Sequence, residues 1–285
     1  MTTPKKLVFV GAHPDDETFS VGATLAHYAS LGVEVYYVCA TRGEVGKANT
    51  KNMKGHSSVS DLRCAELKCA MQVLGLKDVI FLGYRDSGMK GWAENEHPQA
   101  LFSVSIEKVV ESIVEVFRKL KPDVVITFDP IGSYFHPDHI IIHKATVKAF
   151  YAAGDAQQFP HAGVSFKLKK LYFHFFPRRV LRIMAKFACV LHVDIKRIGN
   201  KRNIDLEGMI KTKFPIHAVI RPSKKALKAR TKAAFCHESM LNGKTPYQGL
   251  NGLAIRLFGQ RDYYMRGYPT VENNKKEQDL FEGID

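Results

Sequence analysis

Through the first 150 residues, short apolar runs alternate with amphipathic ones, and this alternation limits the possible folds more than any other feature. Residues 7–10 (LVFV), 33–41 (VEVYYVCAT), 78–83 (DVIFLG) and 123–129 (DVVITFD) are rich in Val, Ile, Tyr and Phe, as buried strands are. Between them, residues 21–31, 58–76 and 103–122 repeat apolar side chains every three or four positions, the period of a helix. Gly32 and Gly75 stand where helix C-termini favour glycine, Ser60 or Asp61 can cap the second helix, and Pro122 stops the third. Another helix opens near Pro137 and runs towards Tyr151. Strand–helix–strand units of this kind imply parallel pairs with right-handed crossovers. The expected fold is therefore α/β, a three-layer α/β/α sandwich on a mostly parallel, Rossmann-like sheet. Such sheets bind ligands at the carboxyl ends of their strands, near the switch point. In the usual doubly-wound orders the first and fourth strands are neighbours, so the loops that follow them should meet there.

Beyond residue 151 the pattern blurs. Residues 170–177 fit a fifth strand, 180–193 fit either a helix or an extended segment, and 224–240 fit a helix. No repeat or low-complexity linker divides the chain, so 1–285 is expected to be a single domain. Residues 1–150 would form its catalytic α/β core, and 151–285 a C-terminal elaboration that shapes the substrate pocket. With 285 residues, 45% of them hydrophobic, the chain can bury a substantial core. It has no apolar run of about 18 residues, which argues against a transmembrane helix. Its first apolar run is too short for a signal peptide and leads straight into charge, so a cytoplasmic protein is expected. The five cysteines include no Cys-x-x-Cys pair and suit reduced, mostly buried thiols.

The first strand runs into His13-Pro14-Asp15-Asp16-Glu17. One Asp would be enough to cap a helix, and three acids beside an imidazole ask for another explanation. His13 and Asp16 are three residues apart at a helix start and project to one side, as credible zinc ligands would. The loop after the fourth strand repeats the arrangement with His136 and His139 around another Pro-Asp. A catalytic zinc takes three protein ligands and keeps one position open, and His13, Asp16 and His139 fill that count. Asp15 is then free beside the metal to take a proton from water. His136 would face the other side of the reacting carbon, to hydrogen-bond a developing oxyanion or to protonate a leaving amine. His143, one turn beyond His139, suits packing or support of the ligands better than ligation, and Glu17 suits a helix-start charge or a group supporting the ligands better than a ligand.

These stretches resemble the LmbE-like N-acetylglucosaminyl deacetylases, also called the PIG-L family. AHPDDE at 12–17 is similar to the family signature and HPDH at 136–139 to its second metal motif. TRGEVG at 41–46 resembles the loop after its second strand, and KAAFCHESM at 232–240 resembles a later helix, although Met240 stands where that helix usually has Gln. The resemblance implies zinc-dependent removal of an acetyl group from an N-acetylated sugar. One zinc per chain would be held by His13, Asp16 and His139, with iron able to take its place. Asp15 would be the general base, His136 the acid or electrophile, and Tyr134 a mobile contact to the carbonyl. The resemblance also implies substrate-binding roles for Arg63, in LRCAEL at 62–67, and Asp86, in LGYRDSGM at 82–89. It assigns His237 no firm role.

The formal charge of +14 speaks to partners rather than fold. Lys and Arg gather at 167–170, 196–203 and 221–232. One alternative is a basic protein that binds nucleic acid or a membrane surface on a degenerate hydrolase fold. No nucleic-acid motif appears, however, and aromatics do not interleave with the basic clusters, so no nucleic acid is expected as a partner. A nucleotide-sugar-binding Rossmann protein is disfavoured, because acids fill the turn where a Gly-rich phosphate loop would sit. Read as a helix, 178–191 carries an apolar stripe of Val180, Met184, Phe187 and Leu191 beside Arg178, Arg179, Arg182 and Lys186. Such a stretch can attract an anionic or lipid-linked sugar, lie on an anionic bilayer, or pack against another subunit in a homo-oligomer.

Overall fold

The computed structural model describes residues 4–46, 53, 55–190, 194–196, 204–241, 260–272 and 275–284. The first strand, β1 (Lys6–Gly11), is buried along nearly its whole length. It pairs in parallel with β2 (Glu34–Thr41) on one side and β4 (Val124–Phe128) on the other, so that Leu7 lies opposite both Val35 and Val124. A strand flanked on both edges and covered on both faces has no solvent side, which is why Leu7, Val8, Phe9 and Val10 run consecutively without polar alternation. β3 (Asp78–Tyr84) extends the sheet beyond β2. The expected neighbourhood of the first and fourth strands is present, and it is the point where the strand order turns back.

The crossovers follow the sequence pattern closely. Residues 16–31 hold two helices, α1 (Asp16–Phe19) and α2 (Gly22–Ser30), the break falling just after the acidic turn. α3 (Val59–Leu74) is capped by Ser58, whose hydroxyl accepts from the Asp61 N–H, and not by Ser60 or Asp61; those residues already lie inside its first turn. Gly75 ends it in a left-handed conformation, with Gly75 N–H and Leu76 N–H donating back to Gln72 and Met71. α4 (Ile106–Leu120) returns the chain to β4. After a short kinked turn, α5 (Gly132–Phe135), helix α6 (Pro137–Ala152) leads to β5 (Lys170–Phe175), parallel to β4. Right-handed connections place α2 and α3 on one face and α4 and α6 on the other, as the three-layer arrangement requires.

The later segments complete the same sheet. α7 (Arg178–Val190) is helical, which settles the choice left open for that stretch, and α8 (Leu206–Lys211) packs against it. The apolar contacts described there come from Leu181 and Ala185, clustered with Leu206 and Met209. Of the expected stripe, the side chains of Met184 and Phe187, and Leu191 altogether, lie outside the described residues. β6 (Ala218–Ile220) and β7 (Asp262–Tyr268) add an antiparallel edge in the order β3-β2-β1-β4-β5-β7-β6. Between β6 and β7 in sequence, α9 (Lys224–Cys236) packs on α2 and α3 and runs into α10 (Glu238–Leu241). The expectation of five free thiols fails here, because Cys69 of α3 and Cys236 of α9 form a disulfide. A pair 167 residues apart in sequence is brought together only by helix packing, which cysteine spacing cannot reveal.

Candidate active site

Two loops at the carboxyl ends of β1 and β4 build the site, and both carry backbone that ordinary residues avoid. Asp15 stands at φ 133°, and Ser133 and Phe135 at φ 64° and 67°. Such conformations persist where the surroundings over-determine them, typically at functional sites. Gly132, at φ +64°, begins the second loop; a Cβ there would meet His139 Cβ and Ile140 N at 2.9 Å. His136 then caps α6, its Nδ1 accepting the Asp138 N–H at 3.2 Å, with Pro137 at the first helical position.

The loops bring His13, Asp16 and His139 into one buried triangle. His139 Nε2 lies 3.3 Å from His13 Nδ1 and 3.3 Å from Asp16 Oδ1, and His13 Nδ1 lies 3.7 Å from Asp16 Oδ2. Asp16 Oδ2 accepts the N–H groups of Ala12 and His13 at 2.9 and 2.8 Å, which fixes the carboxylate and leaves Oδ1 facing His139. On the far side of its ring, His13 Nε2 lies 3.2 Å from Asp138 Oδ2 and 3.4 Å from Asp86 Oδ1. A carboxylate behind an imidazole is what a metal-binding histidine needs to keep its other nitrogen pointed at a cation. Burial opposes a charge on His13, but Asp86, Asp138 and Asp16 outweigh it and raise the pKa of His13 well above its ordinary value. Burial and the neighbouring His13 push the pKa values of His136 and His139 well below theirs. Lone pairs that converge in a dry, acid-rich pocket fit a divalent cation with mixed nitrogen and oxygen preferences. His136 also comes within ligand range of the two other imidazoles, as do Asp86 and Asp138 of His13. The His13–Asp16–His139 contacts likewise join both loops, at a carboxylate held by two backbone amides.

Asp15 sits beside the triangle. Its Oδ2 accepts from Arg63 Nη2 at 3.1 Å, and burial, against the pull of Arg63, raises its pKa to about 6. Arg63 is itself buried and spans three elements, donating to Pro14 O at 2.7 Å and to Gly43 O at 3.2 Å. Gly43 must be glycine for this approach, since a Cβ would fall 2.0 Å from Arg63 Nη1. Asp86 faces His13 and Arg63 and accepts the Gly88 N–H at 2.8 Å; His13 and these partners overcome its burial and hold its pKa well below the carboxylate range. Tyr134, half-buried, packs its ring 5.7 Å from His136 and 5.3 Å from His139, and its outer side meets the α7–α8 cluster. Of the residues expected at the site, all eight gather here. His143 turns away, its Nδ1 2.8 Å from Phe128 O.

Sequence reasoning missed several groups. Asp138, wholly buried, supports His13 and accepts the Ser87 N–H at 3.0 Å. It lay in plain view between His136 and His139, and the need of a ligating imidazole for a carboxylate behind it was the available signal. Glu17, expected as a helix-start charge or a supporting group, is wholly buried, but its partner His237, 2.8 Å away across 220 residues, is announced by no local pattern. Beside the Tyr134 turn, a cavity of about 300 Å³ is lined by Ile131, Phe175, Leu181, Met209, Arg178 and Arg179, among others.

A doubly-wound sheet with donor loops at its switch point and a carboxylate next to them could hold a metal ion beside a proton acceptor. Residues 8–150 match the family described as PIG-L, GlcNAc-PI de-N-acetylase, and the chain belongs to this family of deacetylases. It is 39% identical over 294 residues to the 1D-myo-inositol 2-acetamido-2-deoxy-alpha-D-glucopyranoside deacetylase of Geodermatophilus obscurus, covering 100% of this chain and 99% of that one. Among solved structures it resembles N,N'-diacetylchitobiose deacetylase from Pyrococcus horikoshii (TM-score 0.64, 17% identity, covering 92% of this chain and 83% of that one). It also resembles GalB, the 4-carboxy-2-hydroxymuconate hydratase of Pseudomonas putida (TM-score 0.62, 15% identity, covering 95% of this chain and 99% of that one). At these identities the likeness is one of fold.

Proposed function

We propose that this protein hydrolyses the acetamide of an N-acetylglucosamine-type glycoside, with one divalent metal, zinc by donor chemistry, held by His13, Asp16 and His139. The observation that carries the reading is the 3.3–3.7 Å donor triangle with Asp15 beside it. A cation bound there would polarise the acetamide carbonyl and make a nearby water easier to deprotonate. The residues supply the rest. Asp15 has one carboxylate oxygen on Arg63, which leaves the other to receive the proton that water gives up as its oxygen adds to the amide carbon. His136 accepts a backbone N–H at Nδ1, so its neutral ring carries hydrogen on Nε2 and can donate to the oxyanion. The C–N bond then breaks, acetate leaves, and the proton stored on Asp15 goes to the amine. Tyr134, whose ring packs beside His136 and His139, would contact the carbonyl from the second loop. Arg63 and Asp86 set the edge of the sugar site while bracing Asp15 and His13.

The relatives named for a 1D-myo-inositol 2-acetamido-2-deoxy-alpha-D-glucopyranoside support a small N-acetylated glycoside as substrate. The cavity beside Tyr134, with Arg178 and Arg179 in its wall, suits an aglycone that carries negative charge. Protein purified without chelator, analysed for metal and assayed for acetate release from N-acetylglucosamine glycosides, tests the reading. About one equivalent of metal per chain and metal-dependent acetate release are expected. A protein that neither holds nor takes up a transition metal, and releases no acetate, would overturn it.

A further inference from the structure

Behind the site, the residues at the α9–α10 junction form a second buried polar cluster that the proposed chemistry does not use. Glu17 Oε2 accepts the Asp15 N–H at 3.0 Å, while Oε1 accepts the Thr18 hydroxyl at 2.6 Å and lies 2.8 Å from His237 Nε2. A carboxylate can only accept, so His237 Nε2 is the donor of this contact; burial works against a second proton on the ring, but Glu17 outweighs it and raises the His237 pKa. The neighbours of His237 are tied to α3. Cys236 is joined to Cys69, and Ser239 donates its N–H and hydroxyl to Glu66 at 2.7 and 2.6 Å. Arg63, Glu66 and Cys69 follow one another at intervals of three along α3, so they share one side of the helix. That side therefore grips the Asp15 carboxylate with Arg63, α10 with Glu66 and the end of α9 with Cys69. Asp15 needs such a clamp, because its φ of 133° is held neither by glycine nor by a side-chain cap.

We infer that His237 is a positioning residue for Asp15. It fixes Glu17, Glu17 fixes the Asp15 backbone, and the Cys69–Cys236 disulfide keeps His237 seated, so that turnover depends on the redox state of this pair. A dithiol reductant would open it by thiolate attack on one sulfur. A mixed disulfide forms, the reductant's second thiol resolves it, and two protein thiols and one oxidised reductant result. The inference rests on the proposed role of Asp15 as base.

The test compares native protein, His237→Ala, His237→Gln and native protein treated with dithiothreitol. The readouts are kcat, KM, metal content and hydrogen exchange of the peptide spanning residues 13–19. His237→Ala should lower kcat by about 10- to 100-fold, the cost of a small misplacement of a reacting group, with KM and metal content unchanged and faster exchange at the Asp15 amide. Gln, which can still donate to Glu17, should restore most of both. Dithiothreitol should add two hydrogens to the protein mass and shift kcat and exchange in the same direction as His237→Ala. Unchanged kcat and exchange in His237→Ala, or a purely thermal destabilisation, would overturn the positioning role. Unchanged kcat and exchange after complete reduction, or thiols already free at Cys69 and Cys236, would overturn the redox dependence. Should His237→Ala fail to fold, the Gln variant and the reduced native protein decide the same questions. If native protein released acetate from no N-acetylated glycoside, the functional reading would fall, while the exchange data would still judge the clamp.

Discussion

The two halves of this molecule are held together by different physics. From β1 to β4, a strand, a helix and the next strand are mostly neighbours in sequence and in space, and they share an apolar core, with Arg63 and the Lys6–Asp123 contact as polar links. From β5 onward, polar groups reach back over great sequence distances. Asp262 accepts both the N–H and the hydroxyl of Thr24, 238 residues away, at 3.1 and 2.6 Å. Glu277 takes Lys170, Tyr172 and Arg266 at 2.6–2.8 Å. The Tyr28 hydroxyl donates to Asp279 and accepts the Leu280 N–H. The first half builds the donor loops, and the second straps them from behind. Substitutions in the first should therefore act on metal and chemistry, and those in the second on stability and positioning.

The largest effect that would sharpen this division is expected at His139. His139→Ala should remove bound metal and bring acetate release to background while the fold survives, as circular dichroism and metal analysis would show. Retention of a full equivalent of metal would place the ligands elsewhere. A smaller effect is expected one layer out. Asp138→Ala should weaken metal affinity by about 10- to 100-fold, the usual cost of losing the carboxylate behind a ligating imidazole, as read by competition with a chelator.

How far the sequence foretold these regions follows from the same division. Periodicity and caps made β1 to β4 and their crossovers legible, because those elements are specified locally by apolar spacing and by Gly32, Gly75 and Pro137. His13, Asp15, Asp16, His136 and His139 were legible because two similar turns end neighbouring strands. Strand β7 went unread. Its aromatic and charged residues, Asp262 to Tyr268, do not alternate simply, since the strand packs between β5 and β6 and sends polar groups to both halves. The N-cap at Ser58 was missed because three hydroxyl or carboxyl residues lie within four positions, and only the backbone shows which one precedes the first turn. The Glu17–His237 pair and the disulfide depend on α9 lying across α2 and α3, which no spacing encodes.

The strap itself offers the next test. Asp262→Ala leaves the Thr24 N–H and hydroxyl buried without an acceptor, which should cost about 2 kcal/mol and lower the Tm by several degrees. Metal content and kcat at low temperature should not change. A variant that kept its Tm but lost metal would break the division of labour between the halves. The smallest effect concerns the basic face of α7. Attraction of an anionic glycoside by Arg178, Arg179 and Arg182 should weaken as salt rises, since at 1 M the Debye length falls to about 3 Å. The KM of an anionic substrate should therefore climb with ionic strength while that of a neutral N-acetylglucosamine oligomer holds. Reversing the three arginines to glutamate should erase the difference. Equal salt dependence of both substrates would leave the basic face without a part in substrate choice.

In the proposed function, neighbouring carboxylates in one turn hold separate offices, Asp16 on the metal and Asp15 on the proton. Asp16 is braced by the Ala12 and His13 amides and faces both imidazoles, whereas Asp15 is turned to Arg63. Metal content and turnover measured side by side in Asp15→Asn and Asp16→Asn test it most directly. Asp15→Asn should keep its metal and lose turnover by about 10²-fold or more, the contribution of a general base, while Asp16→Asn should lose the metal itself. The reverse pattern, with metal lost from Asp15→Asn and kept in Asp16→Asn, would contradict the assignment.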